Sequence, residues 1–229
     1  MVAAACALIF FAPLMLTLGI LVRCTSRGPI LFRQKRVGRF GRLFTIYKFR
    51  SMKVEPEQSG PSHTKHGDSR LTFVGAKLRR YKLDELPQFY NVLIGDMSLV
   101  GPRPKLPGHE SMYMPFLPGI TSAATLAFRR EEEMLRHIPD HEIEDFYSSK
   151  IKPVKHKIDS EYMEQSTITS DARMLMRTVT ACFVRQSQES TLDLIQNESH
   201  GAAKRAPEDG TYHVVSRTMK DSESLVESD

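Results

Sequence analysis

The first 54 residues of this 229-residue chain contain no aspartate or glutamate, and the first 22 contain no charged residue of either sign. A chargeless run of that length at a chain start reads as a signal peptide, a membrane-spanning helix or a membrane-dipping hairpin. Nothing basic precedes the apolar stretch, which argues against a signal peptide. Cysteine is scarce as well. Cys6, Cys24 and Cys182 form no CxxC pair, and an odd count speaks against a disulfide framework, so a reducing, cytosol-facing location is expected. No internal repeat is visible.

The apolar run is just long enough for a straight span, but Pro13 stands near its middle and removes a helix hydrogen bond there. Two arms of about eleven residues, rising about 1.5 Å each, would reach roughly halfway through a bilayer and return. A re-entrant helix suits the proline, and a kinked span remains the alternative.

Behind the apolar run the charge is one-sided. Ten Lys or Arg residues and no acid lie between Arg23 and Lys53, against a formal net charge of +5 for the whole chain. Such a block suits nucleic acid, an anionic membrane surface or phosphate groups. The sequence carries no recognisable nucleic-acid-binding motif, so nucleic acid is not an expected partner. Within the block, residues 28–32 and 43–49 read as two short strands joined by a basic turn bearing Gly38 and Gly41.

Residues 54–69 are polar and turn-rich, predicting a mobile loop. Leu71 to Arg80 has helical spacing, with Val74 and Leu78 opposite basic residues. Asp84 is placed to cap a helix that tolerates Pro87 in its first turn, runs to Ile94 and closes on Gly95. Further helices are expected at 129–137 and 168–183. From 197 to 229 the chain turns polar and reads as a disordered tail.

The chemistry concentrates in Asp84-Glu85 and its surroundings. Adjacent carboxylates at a helix start lie where backbone N–H groups and the dipole favour phosphate. Neighbouring helical side chains diverge by about 100°, so the pair can divide its labour. One carboxylate could attack phosphorus while the other holds a divalent cation, with Arg79, Arg103 and Arg129 masking phosphate charge. Lys48 and Arg50 of the basic block are further candidates for substrate binding. Taken singly, these features have plainer readings: a helix cap, a juxtamembrane anchor and, for Gly101-Pro102-Arg103-Pro104, a rigid turn.

Together they form an ordered pattern. The basic segment with Gly28-Pro29-Ile30, the run through residues 68–104 and Pro118-Gly119-Ile120-Thr121 resemble the bacterial sugar transferase family, the monotopic polyprenyl-phosphate phosphoglycosyl transferases. The close match covers about residues 28–121, and a weaker one continues to Thr178. The resemblance implies a membrane-dipping helix broken near Pro13. It implies Asp84 as a covalent nucleophile, Glu85 as a Mg²⁺ ligand, and Arg79, Arg103 and Arg129 on the phosphate-binding surface. Asp171 matches the aspartate of the family's C-terminal Ser-x-x-Asp stretch. There are departures. Members normally carry a basic, amphipathic segment before the apolar helix, whereas Met1 opens directly into it, which reads as a shortened start. Ala12-Pro13 replaces the usual Ser-Pro, Ser122 stands where glycine is usual, and residues 125–128 differ from the common sequence.

The expectation is therefore a mixed α/β, membrane-associated single domain: a membrane-dipping or spanning helix at 1–22, a catalytic domain at 23–196 and a tail at 197–229. It would lie on the cytoplasmic face of a bacterial inner membrane. It would transfer a sugar-1-phosphate from a UDP-sugar to polyprenyl phosphate with Mg²⁺, initiating exopolysaccharide, capsule, O-antigen or glycan synthesis. A catalytically inactive, membrane-bound assembly factor of the same pathway is the alternative. The sugar and the oligomeric state are not legible.

Overall fold

The computed structural model describes residues 1–53, 68–108, 114–129, 131–139 and 141–183. The loop expected at 54–69, apart from its last two residues, and the tail expected from 197 lie outside them. Within them the chain mixes helices with two small two-stranded sheets.

The N-terminal helix α1 runs from Val2 to Thr25 and carries Pro13 inside it without interruption. It is long and apolar enough, by length and composition, to cross a membrane. Both of its ends nevertheless lie on the rest of the protein. Ala4 is fully buried in a cluster with Phe44, Ile46, Val92 and Met97, while Leu18 and Val22 pack with Phe49 and Leu78. The middle of the outer face is bare, with Ile9 and Phe10 each at least 75% exposed.

The basic segment folds into an antiparallel hairpin, β1 (Leu31–Val37) and β2 (Leu43–Phe49), in register from Leu31 opposite Phe49 to Val37 opposite Leu43. Strand β2 falls at its expected place, whereas β1 starts three residues late and runs through basic residues read as turn, which pair along the whole of β2. The turn needs a left-handed backbone at Phe40 and Gly41. Along β2 the alternation of side chains buries Phe44 and Ile46 beneath the hairpin, with Phe49 buried at its end. Asn91 then pins the hairpin from below, its amide donating to the Thr45 carbonyl (2.7 Å) and accepting from the Tyr47 N–H (3.2 Å).

Helix α2 (Phe73–Arg80) is capped by the Thr72 hydroxyl, which accepts from the Gly75 N–H. Its approach to the chain before it is closer than any side chain allows, since a Cβ on Gly75 would stand 1.9 Å from the Ser51 carbonyl oxygen. Lys82 then adopts a left-handed backbone and a single 3₁₀ turn, Leu83–Glu85, follows. Helix α3 (Gln88–Leu93) starts only after Pro87, and Gly95 closes it with a φ of 84°. This corrects the expected cap: Asp84 sits inside the 3₁₀ turn, because the left-handed Lys82 ends the preceding turn and forces a tight restart.

Strands β3 (Ser98–Val100) and β4 (Gly119–Thr121) pair in parallel. Helix α4 (Ala123–Ala127) follows directly, capped by Ser122. The helix predicted at 129–137 is realised as α5 (Glu131–Met134) and a 3₁₀ turn to His137. Helix α6 (Ile143–Phe146) passes through a π-helical turn, Tyr147–Ile151, into α7 (Lys152–Glu164). Helix α8 occupies Ile168–Phe183, as the periodicity predicted.

Candidate active site

The 3₁₀ turn buries two carboxylates side by side, with Asp84 6% and Glu85 7% exposed. Bare burial of two adjacent negative charges would be prohibitive, so each must find compensation or hold its proton. Glu85 finds it. Its Oε1 accepts from the Lys48 ammonium of β2 at 3.0 Å and from the Arg103 guanidinium at 2.8 Å. Burial alone would raise this carboxyl, but Arg103, Lys48 and Lys82 together hold it well below the usual carboxylate range. Arg103 is in turn held more firmly protonated, chiefly by Glu85.

Asp84 is the opposite case. Burial, reinforced by the charge on Glu85, raises its carboxyl, with Lys48, Lys82 and Arg79 only partly offsetting the rise. Its Oδ1 is buried with no hydrogen-bond partner among the described residues. One turn on, the Nε2 of Gln88, itself 1% exposed, is likewise buried and unpartnered. An unpaired buried acceptor and an unpaired buried donor on one local segment cost about 1–3 kcal/mol each, a cost a ligand can remove.

A line of hydroxyls leads away from this centre. The Arg103 Nε donates to the Thr125 Oγ1 (3.2 Å), which shares a hydrogen bond with the Ser122 Oγ (2.9 Å). The Ser122 hydroxyl bonds in turn to the carboxyl of Asp159 on α7. That carboxyl also accepts from the Ala124 N–H in the first turn of α4, at 2.8 Å. Burial pushes the Asp159 carboxyl up to about 6, against the pull of these hydrogen bonds and of Lys155 and Arg103. Arg103 is thus held on both sides, by Glu85 and by a hydroxyl pair of α4 and its cap that Asp159 of α7 anchors.

The structure therefore brings together Asp84, Glu85, Lys48 and Arg103 of the predicted residues. Arg79 stands close enough for Asp84 to respond to its charge. Arg129, half-buried just past α4, is linked to the site more loosely: the Cys182 thiol, raised by burial, also feels Lys82, Arg129 and Glu85. Two others lie elsewhere. Arg50 donates to the Ser26 carbonyl (2.6 Å) and hydroxyl (2.7 Å), tying the end of α1 to β2. Asp171 accepts from the Tyr162 hydroxyl (2.7 Å), joining α8 to α7. Sequence reasoning missed the relay of Thr125, Ser122 and Asp159. The available signal was an aspartate among the apolar positions Val154, Ile158 and Tyr162, which recur at a helical spacing of four on the helix that carries it.

A Mg²⁺ ion fits the residues present. Magnesium is commonly held by one or two carboxylates with substrate phosphates completing its shell, and Glu85 receives both of its cations on one oxygen, Oε1. Among the described residues no group of three or more His, Cys, Asp or Glu gathers as an all-protein cage.

The bacterial sugar transferase family model matches residues 1–185. The chain is 52% identical over 103 residues to the UDP-N-acetylgalactosamine-undecaprenyl-phosphate N-acetylgalactosaminephosphotransferase of Aeromonas hydrophila, covering 45% of this chain and 24% of that protein. It is 33% identical over 191 residues to the UDP-glucose:undecaprenyl-phosphate glucose-1-phosphate transferase of Escherichia coli K12, covering 79% and 38%. The protein of the same description from Caulobacter vibrioides is 45% identical over 117 residues, covering 51% and 44%. The chain thus spans less than half the length of these three curated relatives.

Proposed function

The chain belongs to the bacterial sugar transferase family, and from that premise we propose that it moves a sugar-1-phosphate from a UDP-sugar to polyprenyl phosphate. The observation that carries this reading is the split between the two carboxylates: one buried oxygen of Asp84 is unpaired and its carboxyl basic, while Glu85 is firmly ionised between two cations. A raised pKa preserves the nucleophilicity of a carboxylate, and an unpaired oxygen is free to attack.

Two displacements at phosphorus follow. An Asp84 oxygen bonds to the sugar-bearing phosphorus of the UDP-sugar as the bridging P–O bond breaks, and UMP leaves with the electron pair. An oxygen of polyprenyl phosphate then attacks the same phosphorus, restoring the Asp84 carboxylate and yielding a polyprenyl diphosphosugar. Arg103 and Lys48 orient and neutralise the phosphates from the side of Glu85, and Arg79 acts from the side of Asp84. Mg²⁺ held by Glu85 would supply charge neutralisation on the diphosphate.

The place of reaction is the face of a membrane. A bare apolar middle on α1, with both ends packed on the domain, supports an unbroken helix that lays its outer face into the membrane rather than crossing it, in place of the break expected at Pro13. Each large apolar side chain left in water would forgo about 1.5–3 kcal/mol. With the basic hairpin beside it, the cytoplasmic face of the inner membrane is the proposed location.

The test is a UDP-sugar screen against the purified protein in vesicles. UMP should appear with one sugar, and without acceptor a phosphosugar adduct should be found by intact mass and mapped to the peptide containing Asp84. Asp84→Asn should abolish both. An adduct on another residue would overturn the assignment of the nucleophile, and turnover with no adduct would favour direct transfer.

A further inference from the structure

Between α1 and the hairpin lies a cavity of about 720 Å³, within the range of ligand pockets. Its walls are Met15, Gly19 and Ile20 of α1, Tyr47 of β2, and Pro87 and Tyr90 at the start of α3, with further aliphatic side chains. No charged residue lines it, and the two tyrosine hydroxyls are its polar side-chain groups. A nucleotide or a sugar would lose its hydration there without return, so the cavity suits neither.

Its position is as informative as its lining. Pro87 is two residues beyond Glu85, and Tyr47 is the neighbour of Lys48, whose ammonium holds Glu85. One end of the cavity therefore abuts the backbone that carries the reacting carboxylates. The other opens along α1 toward Leu16 and Ile20, which are 68% and 56% exposed and continue the bare apolar face. A cation stands at the rim: the Arg33 guanidinium lies 5.8 Å from the centre of the Tyr47 ring, which meets the Tyr90 ring edge-on at 5.6 Å. An apolar channel that begins in the bilayer, passes a guanidinium and ends at a phosphate-transfer centre is complementary to an amphiphile with a long hydrocarbon chain and a phosphate head.

We propose that this cavity binds the phosphate-proximal isoprene units of the polyprenyl phosphate acceptor, with Gly19 leaving the space they occupy and Arg33 meeting the head as it enters. The inference rests on the proposed transfer reaction and adds the seat of its second substrate. Gly19 is the point where the space can be taken back. A Cβ there meets Ile30 at 3.5 Å and Phe49 at 3.8 Å, both ordinary contacts, so a small side chain is accommodated and a longer one must extend into the cavity.

The experiment uses the full chain in phosphatidylethanolamine–phosphatidylglycerol vesicles with a polyprenyl phosphate bearing a diazirine on its second isoprene unit. Photolysis should label the segments containing Met15–Ile20 and Tyr90, and unlabelled polyprenyl phosphate should compete while added phosphatidylglycerol does not. Gly19→Leu should raise the acceptor KM about tenfold, the effect of excluding two or so methylene groups. Label elsewhere, equal competition by phosphatidylglycerol, or an unchanged acceptor KM would overturn the proposal. Should Gly19→Leu fail to fold, labelling of the unsubstituted protein still decides. UMP release, read in the same preparation, tests the transfer chemistry separately: its absence with acceptor present would sink that reading without touching the labelling result.

Discussion

Asp159 offers a stability measurement whose sign and size both follow from the structure. Its carboxyl is buried in α7, and burial outweighs the hydrogen bonds from Ala124 and Ser122, pushing it from an ordinary 3.8 up to about 6. The unfolded chain therefore ionises first as pH rises. The stability present below about pH 3.8 is lost progressively until the folded carboxyl ionises near 6, and the loss then stays constant. A gap of about two pH units at 1.36 kcal/mol each makes this roughly 3 kcal/mol. Asp159→Asn keeps a carbonyl oxygen for the Ala124 N–H and removes the titration. Whatever the substitution costs at pH 4, the variant should gain about 3 kcal/mol on the natural protein by pH 7.5. In a chain of this size that is a relative rise in Tm of about 6–12 °C. Paired thermal melts across pH 4–8 measure it, with other carboxylates cancelling in the difference. A Tm difference that stays flat with pH would refute the reasoning, since it would mean Asp159 titrates alike in the folded and unfolded chain.

Arg103→Met leaves the buried Glu85 with Lys48 alone and should destabilise the fold by about 3 kcal/mol, the lower end for a broken buried pair because the Arg103 side chain is 36% exposed. Urea unfolding checks it, and an unchanged midpoint would count against the pairing. Ser122→Gly removes the hydroxyl between Thr125 and Asp159 and should cut kcat/KM roughly fivefold, about the effect of one hydrogen bond. Ser122→Thr should restore most of it, whereas equal losses in both would mark a packing effect. Gly75→Ala drives a methyl into the Ser51 carbonyl and should cost at least about 2 kcal/mol, visible as a lower Tm.

The second strand of the hairpin and α8 were legible because their signals are local, an apolar run after a glycine-bearing turn and a sixteen-residue helical period, whereas the basic residues of β1 read as turn. Residues that meet through the fold were less so. Nothing in the spacing of Lys48, Glu85 and Arg103 announces that one carboxylate oxygen will hold both cations, since 37 and 18 residues separate them. The basic block misled in one respect. Read as a single phosphate-facing surface it promised Arg50 as a ligand, yet that side chain turns inward to hold Ser26. Charge density identifies the class of partner but not which cations the hairpin aims at it.

The same limit applies to the dyad, and its resolution explains how two neighbouring carboxylates acquire different chemistry. In a regular helix start both would look toward N–H donors and water, and both would titrate near their ordinary values. Lys82 prevents that. Its left-handed backbone, at φ 56° and ψ 19°, costs a non-glycine residue about 1 kcal/mol or more and ends α2 abruptly. The 3₁₀ turn that follows winds tighter than an α-helix, at three residues per turn, and separates adjacent side chains by about 120°. Glu85 is swung toward Lys48 and Arg103, which fix its charge, and Asp84 toward a buried space where one of its oxygens meets no donor. Ionised Glu85 then raises Asp84 further, against the pull of Lys48, Lys82 and Arg79, which offset the rise only in part. The division of labour is set by the backbone of one lysine and the reach of two cations, and neither is visible in the Asp-Glu pair alone.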